Sequence, residues 1–497
     1  MINEERGFIT KINIMIPNGA RYIIYNLLRC GYQTYLVGGC VRDILIGRTP
    51  NDWDICTSAT PEQMIHFVEH MNKFEDKCAE ISNGRGVRNK IKYIPTGLKH
   101  GTITIVVNGE PFEVTTFRCD GEYSDNRRPN NVTFTKSLTE DLKRRDFTIN
   151  AIAYSLYEGF IDPFGGINDI KDKIIRCVGN PYDRFNEDGL RIMRALRFSA
   201  KYGFQIESET KKALIDNRYL LKNISAERIN AELCKILMSD NCGNEMLRKY
   251  SSVIKQVVPE IEEMIDFPQN NPHHTHDVWE HTLHCMDYES VCRPLIYNGT
   301  IKSPDIIVRL AVLLHDIGKP YCYSEDENRI GHFYGHAKIS AEIAEHILTR
   351  LKFSNDIKDK VVELIANHDV QFLPNKSNVK RLLNKLGEEQ LRRLLLLRAF
   401  DMWGQNRESE AWEEKKSRLD RMYPILDFII EENECFKLKD LTINGKDLIE
   451  LGMPQGKQIG EILNTLLTMV IDGEIENKKE KLIEFVKEHH LTYIQGQ

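Results

Sequence analysis

The sequence predicts an α+β protein in which a small mixed sheet is followed by a mostly α-helical remainder. Near the start, the apolar run Thr34–Val37 has the character of a strand, and residues 41–46 have that of a first helical turn. An apolar run resumes at residues 54–57, so strand, glycine turn, helix and strand follow one another. The leucine-rich residues 391–397 indicate helix further along. We therefore expect a sheet in the first domain and helices in the rest.

Length and composition set the class of protein. The chain has 497 residues, of which 41% are hydrophobic and 28% are charged, which is typical of a globular chain with several domains. No run reaches the roughly 18 apolar residues of a membrane span, and the N-terminus does not resemble a signal peptide. Its 12 cysteines form no Cys-x-x-Cys pair, and the net charge of −6 argues against a general nucleic-acid coat. We expect a cytoplasmic protein without membrane partners.

Two carboxylates follow a glycine turn near the N-terminus. Gly38 and Gly39 come before the first predicted helix, and Asp52 and Asp54 stand at strand spacing after it. Residues two apart on a strand face the same side, so both carboxylates can share hard divalent ions. Glycines let backbone N–H groups approach a phosphate. This pattern indicates Mg²⁺ and a triphosphate, although an isolated Asp-x-Asp is more often a solvated turn.

A second pair of charges can read a base. Asp188 and Arg191 lie one turn apart at the start of a predicted helix whose apolar stripe is Leu190, Met193, Leu196 and Ala200. A carboxylate accepts from an exocyclic amine and a guanidinium donates to the adjacent ring nitrogen, which matches cytosine and adenine. Uracil and guanine present the opposite pattern there. The alternative is an ordinary surface salt bridge.

Further polar residues lie between these two motifs. Arg145 is suited to phosphate oxygens, Asp146 and Asn150 to a ribose hydroxyl, and Glu113 to a third metal carboxylate. Two basic patches also stand out, for which solvated helix faces are the alternative. The first contains Arg118, Arg127, Arg128, Lys136, Lys143, Arg144 and Arg145, and the second Arg191, Arg194, Arg197 and Lys201.

In this order the motifs resemble those of the class II tRNA nucleotidyltransferases, the CCA-adding enzymes and their bacterial poly(A) polymerase relatives. The resemblance implies a nucleotidyltransferase head in which Asp52 and Asp54 hold two Mg²⁺ ions. It implies that the tRNA 3′ end, CTP and ATP, but not DNA, are the partners. It further assigns contacts with the nucleotide to Gly39, Arg42 and Arg145, and the template role to Asp188 and Arg191 with Arg194 and Arg197 nearby.

Three other segments extend the resemblance. Residues 227–233 are similar to the family's last neck motif, which braces the template helix. Residues 440–448 and 459–463 are similar to the tRNA-binding tail of Gram-positive CCA-adding enzymes, and residues 120–129 to their flexible loop. Poly(A) polymerases usually lack that tail, so these features favour complete CCA addition. The segment at residues 75–95 is longer than the corresponding segment usually is in the family.

A histidine-rich block lies before the tail. It resembles an HD-family phosphohydrolase domain, and the resemblance assigns the metal ligands to His281, His315, Asp316 and Asp401, with His336 and His368 as possible additions. Histidine with carboxylate suits a divalent transition metal or Mg²⁺. Lys319 matches the family's usual His-Asp-x-Gly-Lys run. An active site for phosphomonoesters or cyclic phosphodiesters is one expectation, and an inactive RNA-binding spacer is the other.

Four domains are expected: a nucleotidyltransferase head at residues 10–153, a neck at 154–265, an HD domain at 266–402 and a helical tail at 403–497. Three functions remain open on the sequence. The first is CCA addition with an accessory hydrolase, the second is a poly(A) polymerase, and the third is a metal phosphohydrolase with an RNA-binding head. The sequence does not fix the oligomeric state.

Overall fold

The computed structural model describes residues 15–81, 89–95, 97–121, 131–239, 242–287 and 304–490. The chain forms two compact units, Met1–Asn241 and Cys242–Gln497. The four finer domain boundaries stay predictions. Arg127, Arg128 and most of the predicted flexible loop lie outside the described residues, as do residues 82–88 of the long segment.

A seven-stranded mixed sheet dominates the start of the first unit, which confirms the predicted α+β class. Its order is β3-β4-β5-β2-β1-β8-β9, with β2 and β5 parallel and the other pairs antiparallel. Its strands are β1 (Thr34–Val37), β2 (Ile55–Thr57), β3 (Ile91–Ile94), β4 (Thr102–Val107), β5 (Glu110–Thr116), β8 (Ala153–Ser155) and β9 (Gly159–Ile161). The short pairs are β6 (Arg118–Asp120) with β7 (Val132–Phe134), and β10 (Ile174–Ile175) with β11 (Gln205–Ile206).

Helices cover this sheet and continue beyond it. They are α1 (Asn18–Arg29), α2 (Gly39–Ile46), α3 (Pro61–Ile81), α4 (Leu138–Lys143), α5 (Gly166–Lys171), α6 (Pro181–Glu187), α7 (Leu190–Tyr202), α8 (Ser208–Asp216) and α9 (Ala226–Leu237). Short 3₁₀ turns lie at Leu98–His100, Thr148–Asn150 and Arg218–Asn223.

The glycine turn between β1 and α2 forms as predicted. Gly38 has a φ of 76°, a backbone conformation that favours glycine, and its N–H donates to the Ile152 carbonyl at 3.2 Å. A Cβ on Gly38 would lie 2.9 Å from Nη1 of Arg145. A side chain at position 38 would therefore displace the side chain of Arg145.

The two opening carboxylates do not stand on a strand, which corrects the prediction. Strand β2 begins at Ile55, and Asp52 and Asp54 lie in the segment directly before it. The Asp54 carbonyl still accepts from the N–H of Val37 at 3.0 Å, so the segment continues toward β1 without a full ladder. Asp52 and Asp54 therefore lie just before the N-terminal end of β2, where both line a cavity.

Where the start of one helix was predicted, the structure has two helices with a short break between them. Helix α6 ends at Glu187 and α7 begins at Leu190, so Asp188 lies between two helices in an extended conformation. Its Oδ1 accepts from the N–H of Leu190 at 3.1 Å, a local bond that satisfies a free donor at the start of α7. The apolar stripe from Leu190 to Ala200 is buried as predicted.

The second unit is almost entirely helical, as predicted. Its helices are α10 (Asn244–Lys249), α11 (Ser251–Val257), α12 (Val278–Cys285), α13 (Ile306–Leu314), α14 (His336–Arg350), α15 (Asn355–Asn367), α16 (Lys376–Leu386), α17 (Glu388–Trp403), α18 (Glu410–Glu431), α19 (Gly445–Glu450), α20 (Lys457–Asp472) and α21 (Lys479–His490). One two-stranded ribbon joins β12 (Ser324–Glu325) and β13 (Gly331–His332), and 3₁₀ turns lie at Pro259–Met264, Lys319–Tyr321 and Leu438–Asp440.

Three further observations concern the part of the chain that the structure describes. None of the described helices has both the length and the apolar composition that a membrane crossing requires. The cysteines that the structure describes are free thiols, as the spacing predicted. The predicted helix over residues 391–397 is confirmed, because these residues lie inside α17.

Candidate functional site

One cavity in the first unit gathers the residues that the sequence singled out in the head and neck. It has a volume of about 810 Å³ and opens to solvent. The predicted site residues on its wall are Gly39, Arg42, Asp52, Asp54, Arg145, Asp188, Arg191, Arg194 and Arg197. Parts of both predicted basic patches meet there, because Arg118 and Arg144 line the same cavity as Lys201. Nine lysine and arginine side chains face five aspartates, an excess of positive charge suited to a polyanion.

The carboxylate end of the cavity has the donors that Mg²⁺ prefers. Burial raises the pKa of the Asp54 carboxyl, Arg145 lowers it, and the negative charges of Glu113 and Asp52 raise it again. Closely spaced carboxylates repel one another, and a bound divalent cation relieves that repulsion. Asp52 and Asp54 therefore fit a magnesium site, and Glu113 on β5 lies near enough to affect Asp54 electrostatically.

A buried polar network links the sheet to the helix α7. Arg194 donates to Oδ2 of Asp146 through Nε at 2.8 Å, and the other oxygen of Asp146 accepts from Asn150 at 2.9 Å. Asn150 in turn accepts from Arg42. Burial would raise the pKa of Asp146, but Arg194 and the Asn150 hydrogen bond hold it below its ordinary value. Asp146 and Asn150 line the cavity, yet most of their bonding capacity is already used within the protein.

Asp188 and Arg191 line the cavity, and the side chain of each already makes hydrogen bonds to other residues of the protein. Arg228 of α9 donates to Oδ2 of Asp188 at 2.9 Å. Arg191 donates to Glu187 at 2.5 Å, and it also donates to the carbonyl of Arg144 at 3.1 Å. The two groups are thus oriented by their neighbours before any ligand arrives. Each carboxylate oxygen offers about two acceptor positions, so Asp188 retains capacity for a further donor.

Helix α9 braces α7 through a second ion pair. Glu232, which is buried, lies 3.1 Å from Nε of Arg197. The guanidinium of Arg197 also stacks over Phe198, 4.3 Å from the ring centroid. Glu232 lies within residues 227–233, the motif to which the family resemblance assigned a bracing role. Arg228 and Glu232 were not predicted individually, although that motif contained them.

The second unit contains a buried group of histidines and aspartates. His281 lies on α12, His315 and Asp316 follow α13, and Asp401 lies on α17. Nε2 of His281 lies 3.3 Å from Oδ2 of Asp316 and 3.3 Å from Oδ1 of Asp401, and Nε2 of His315 lies 3.3 Å from Asp316. The structure therefore brings together all four residues predicted for the HD site.

His336 and His368 join this group from the other side. Their Nε2 atoms lie 3.5 and 3.7 Å from Oδ1 of Asp316, so the two oxygens of Asp316 face different histidine pairs. Lys319 reaches Oδ2 of Asp316 at 2.6 Å. Burial would raise the pKa of Asp316, but His315 and Lys319 hold it well below its ordinary value.

Backbone carbonyls fix the orientation of these imidazoles. Nδ1 of His281 donates to Gly404, Nδ1 of His315 to Val312, and those of His336 and His368 to Phe333 and Ile365, at 2.7–3.0 Å. A neutral imidazole that donates from Nδ1 carries its lone pair on Nε2. The Nε2 atoms of His281 and His315 therefore face Asp316 and Asp401, whereas those of His336 and His368 lie 3.0 Å from each other beside Asp316.

The sequence did not predict every residue of this second site. Two groups of ligand atoms form, and Cys285 belongs to the first of them. The groups are His281, Cys285, His315 and Asp401, and Asp316, His336 and His368. Cys285 lies four residues after His281 on α12, so helical spacing was the signal that could have identified it.

A cavity of about 440 Å³ gives access to this group. Its wall includes the basic side chains Lys319, Arg398 and Lys415 beside Asp316 and Asp401. Arg398 donates to Oδ2 of Asp401 at 3.1 Å, which orients that carboxylate. The cavity therefore combines metal-binding donors with positive charge, a combination suited to a phosphate ester.

Comparison with known protein families identifies three segments. Residues 34–176 match the family described as "Poly A polymerase head domain". Residues 203–265 match "Probable RNA and SrmB- binding site of polymerase A", and residues 323–486 match "tRNA nucleotidyltransferase domain 2 putative".

Curated proteins and solved structures give full-length matches. The CCA-adding enzyme of Lactobacillus helveticus (strain DPC 4571) is 30% identical over 94% of this chain and 96% of its own length. That of Geobacillus stearothermophilus is 31% identical over 95% and 96%. A crystal structure of the Bacillus stearothermophilus CCA-adding enzyme in complex with CTP has a TM-score of 0.64 at 29% identity, covering 95% of this chain and 96% of its own. With this identity over nearly the whole of both sequences, the chain belongs to the family of CCA-adding enzymes.

Proposed function

We propose that this chain adds C, C and A to the 3′ end of tRNA without a nucleic-acid template, taking CTP and ATP in the first-unit cavity. The observation that carries the proposal is that Asp52 and Asp54 line the same cavity as Asp188 and Arg191. A single space thus combines donors for divalent ions with groups that can tell one base from another. The full-length similarity to CCA-adding enzymes gives the proposal its acceptor, tRNA, and a cytoplasmic location follows from that acceptor.

The carboxylates and the arginine side chains of the cavity would have separate roles in nucleotidyl transfer. Asp52 and Asp54 would hold two Mg²⁺ ions, and such ions would supply the positive charge needed to activate the RNA 3′-hydroxyl and to stabilise the leaving pyrophosphate. Arg42 and Arg145 are placed for phosphate oxygens, and the backbone at Gly39 begins α2 beside them. The protein contributes mainly alignment and fixed positive charge.

Base selection rests on the pair Asp188 and Arg191. Cytosine and adenine both offer an exocyclic amine next to an acceptor nitrogen, so a carboxylate and a guanidinium in fixed positions fit both. Arg228 and Glu187 keep those two groups from turning toward each other. Uracil and guanine present a carbonyl and a ring N–H instead, so acceptor would face acceptor and donor would face donor, which strongly disfavours both bases. Arg194 and Arg197 then act by holding α7 in place.

The poly(A) polymerase alternative fits less well. Two curated CCA-adding enzymes align over 94–95% of this chain, including the tail, whereas the poly(A) polymerase families match residues 34–176 and 203–265. A phosphohydrolase whose head only binds RNA would not need Asp52 and Asp54 beside the base-reading pair.

A direct experiment tests the main proposal. The full-length protein, Mg²⁺ and tRNA lacking its 3′ end should give ordered C, C, A addition with labelled CTP and ATP, measured on sequencing gels. In Asp52→Ala and Asp54→Ala variants, incorporation of both nucleotides should fall at least about 100-fold because the metal donors are lost. tRNA binding and the circular dichroism spectrum should not change. Unchanged CTP incorporation would contradict the assignment, and a long A-tract would indicate a poly(A) polymerase.

A second variant tests the base-reading role. Asp188→Ala should admit UTP and GTP, raising their incorporation relative to CTP by about 10-fold or more, since one good base contact contributes about 1–3 kcal/mol. Triphosphate binding should weaken less, because other groups hold the phosphates. Asp183→Ala, an exposed substitution on α6, is the matched control. If the Asp188 variant still excludes UTP and GTP fully, the protein-template role is wrong.

We also propose that the second unit is a metal-dependent phosphohydrolase of the HD type. The buried group around His281, His315, Asp316 and Asp401 favours it, because four imidazoles present Nε2 toward carboxylates beneath a basic cavity. A divalent transition metal or Mg²⁺ bound there would activate water. Lys319 and Arg398 would then steady the phosphate of the substrate.

Metal analysis and hydrolysis assays test this second activity. Asp401→Asn keeps the shape of the side chain and removes its charge, so bound metal and hydrolysis of cyclic nucleotide monophosphates or a p-nitrophenyl phosphate ester should both fall at least about 10-fold. Asp369→Asn, exposed on the same cavity wall, should retain both. CCA addition should continue in either variant. A wild-type protein without metal and without turnover would leave this unit as a scaffold.

A further inference from the structure

Cys285 places a thiol inside the buried histidine and aspartate group of the second unit. Its Sγ lies 3.5 Å from Nε2 of His281, and the ligand atoms of His281, Cys285, His315 and Asp401 all lie within 4.8 Å of one another. All four side chains are buried. The thiol therefore points toward the nitrogen that faces the two aspartates, where the metal of the proposed hydrolase would bind.

We propose that the Cys285 thiolate is a metal ligand, and that with His281, His315 and Asp401 it forms a four-coordinate site for a borderline transition metal ion such as Zn²⁺. The inference rests on the metal centre proposed above and changes its chemistry, because with four protein ligands the activated water would have to bind as a fifth ligand. A donor set of one sulfur, two nitrogens and one oxygen favours Zn²⁺ over Mg²⁺, which prefers oxygen ligands. The thiol proton is released to solvent when the metal–sulfur bond forms.

The spacing of the donor atoms agrees with a tetrahedral site. Metal–ligand bonds of about 2.0–2.3 Å place tetrahedral ligands about 3.3–3.7 Å from one another. Nε2 of His281 lies 3.3 Å from Oδ1 of Asp401 and 3.5 Å from Sγ of Cys285, and Nε2 of His315 lies 3.8 Å from Oδ1 of Asp401. These three separations are close to the tetrahedral values, and the remaining ones lie within 4.8 Å.

An unpaired nitrogen supplies independent support. His315 is fully buried, and its Nε2 makes no hydrogen bond within the described part of the chain. Because Nδ1 of His315 donates to Val312, Nε2 is the ring nitrogen left for a metal, and it lies 3.3 Å from a carboxylate oxygen of Asp316. Two acceptors that face each other in a buried space without a proton or cation between them are unfavourable. A metal ion among these atoms removes that penalty.

A simpler role for the thiol would be packing. Sγ of Cys285 also lies 3.8 Å from the Asp401 carbonyl, a weak contact that a buried thiol can make without any metal. In that case Oδ2 of Asp316, which lies 3.3 Å from both histidine nitrogens, would be the fourth ligand. The two arrangements differ in whether sulfur is bonded to the metal.

Cobalt substitution separates these arrangements. The full-length protein is stripped with a chelator and titrated with Co²⁺ alone, and absorbance is recorded in the near ultraviolet. We expect a thiolate-to-cobalt charge-transfer band in the wild type and in Cys435→Ser, a buried cysteine outside the donor group that serves as the control. The band should be lost in Cys285→Ser. Retention of the band in Cys285→Ser, or its absence from the cobalt-loaded wild type, would overturn the inference.

X-ray absorption of the wild-type protein loaded with Zn²⁺ provides a test that needs no variant. A sulfur scatterer at about 2.3 Å is the expected result, and a shell of nitrogen and oxygen alone would overturn the inference. Both measurements are independent of hydrolysis. Sulfur ligation without phosphate-ester turnover would support this inference and contradict the hydrolase, whereas turnover without sulfur ligation would do the opposite.

Discussion

The candidate active site of the first unit depends on the buried ion pair between Asp146 and Arg194. Asp146 is 8% exposed and belongs to the segment before the turn Thr148–Asn150, whereas Arg194 is on α7. A carboxylate buried to this extent requires a partner, because the free energy of transferring an unpaired charge from water is large. The pair therefore joins α7 to the segment before that turn, and through Asn150 it also orients Arg42. All four of these side chains line the cavity, so the network forms part of the wall of the candidate site.

Much of this arrangement could be predicted from sequence because it arises from local chemistry. The turn at Gly38 needs a residue that tolerates positive φ, and apolar periodicity identified the buried stripe of α7. The exact position of Asp188 was less predictable. Its side chain competes for the N–H of Leu190 and interrupts the helical pattern that continues on either side. Strand β2 likewise begins after Asp54, at a boundary that periodicity resolves poorly.

The contacts that the sequence analysis missed join residues far apart in the chain. Arg228 is 40 positions from Asp188, and Asp146 is 48 positions from Arg194, so no local pattern could pair them. In the second unit, the order of histidines and aspartates predicted a metal centre, but Cys285 went unrecognised because a lone cysteine on a helix is usually core. The two proposed metal sites would therefore differ in their donors: carboxylate oxygen for Mg²⁺ in the first unit, and imidazole and carboxylate with a thiol in the second.

We expect the ion pair between Asp146 and Arg194 to hold α7 in the position that nucleotide incorporation requires, so that the two residues act as one unit. A double-mutant cycle with Asp146→Asn and Arg194→Lys, measured as kcat/KM for CTP incorporation into tRNA lacking its 3′ end, tests it most directly. We predict a coupling energy above about 1 kcal/mol, with the double variant scarcely worse than either single variant. Losses that add within about 0.3 kcal/mol would show that the two residues contribute separately, and would contradict the account.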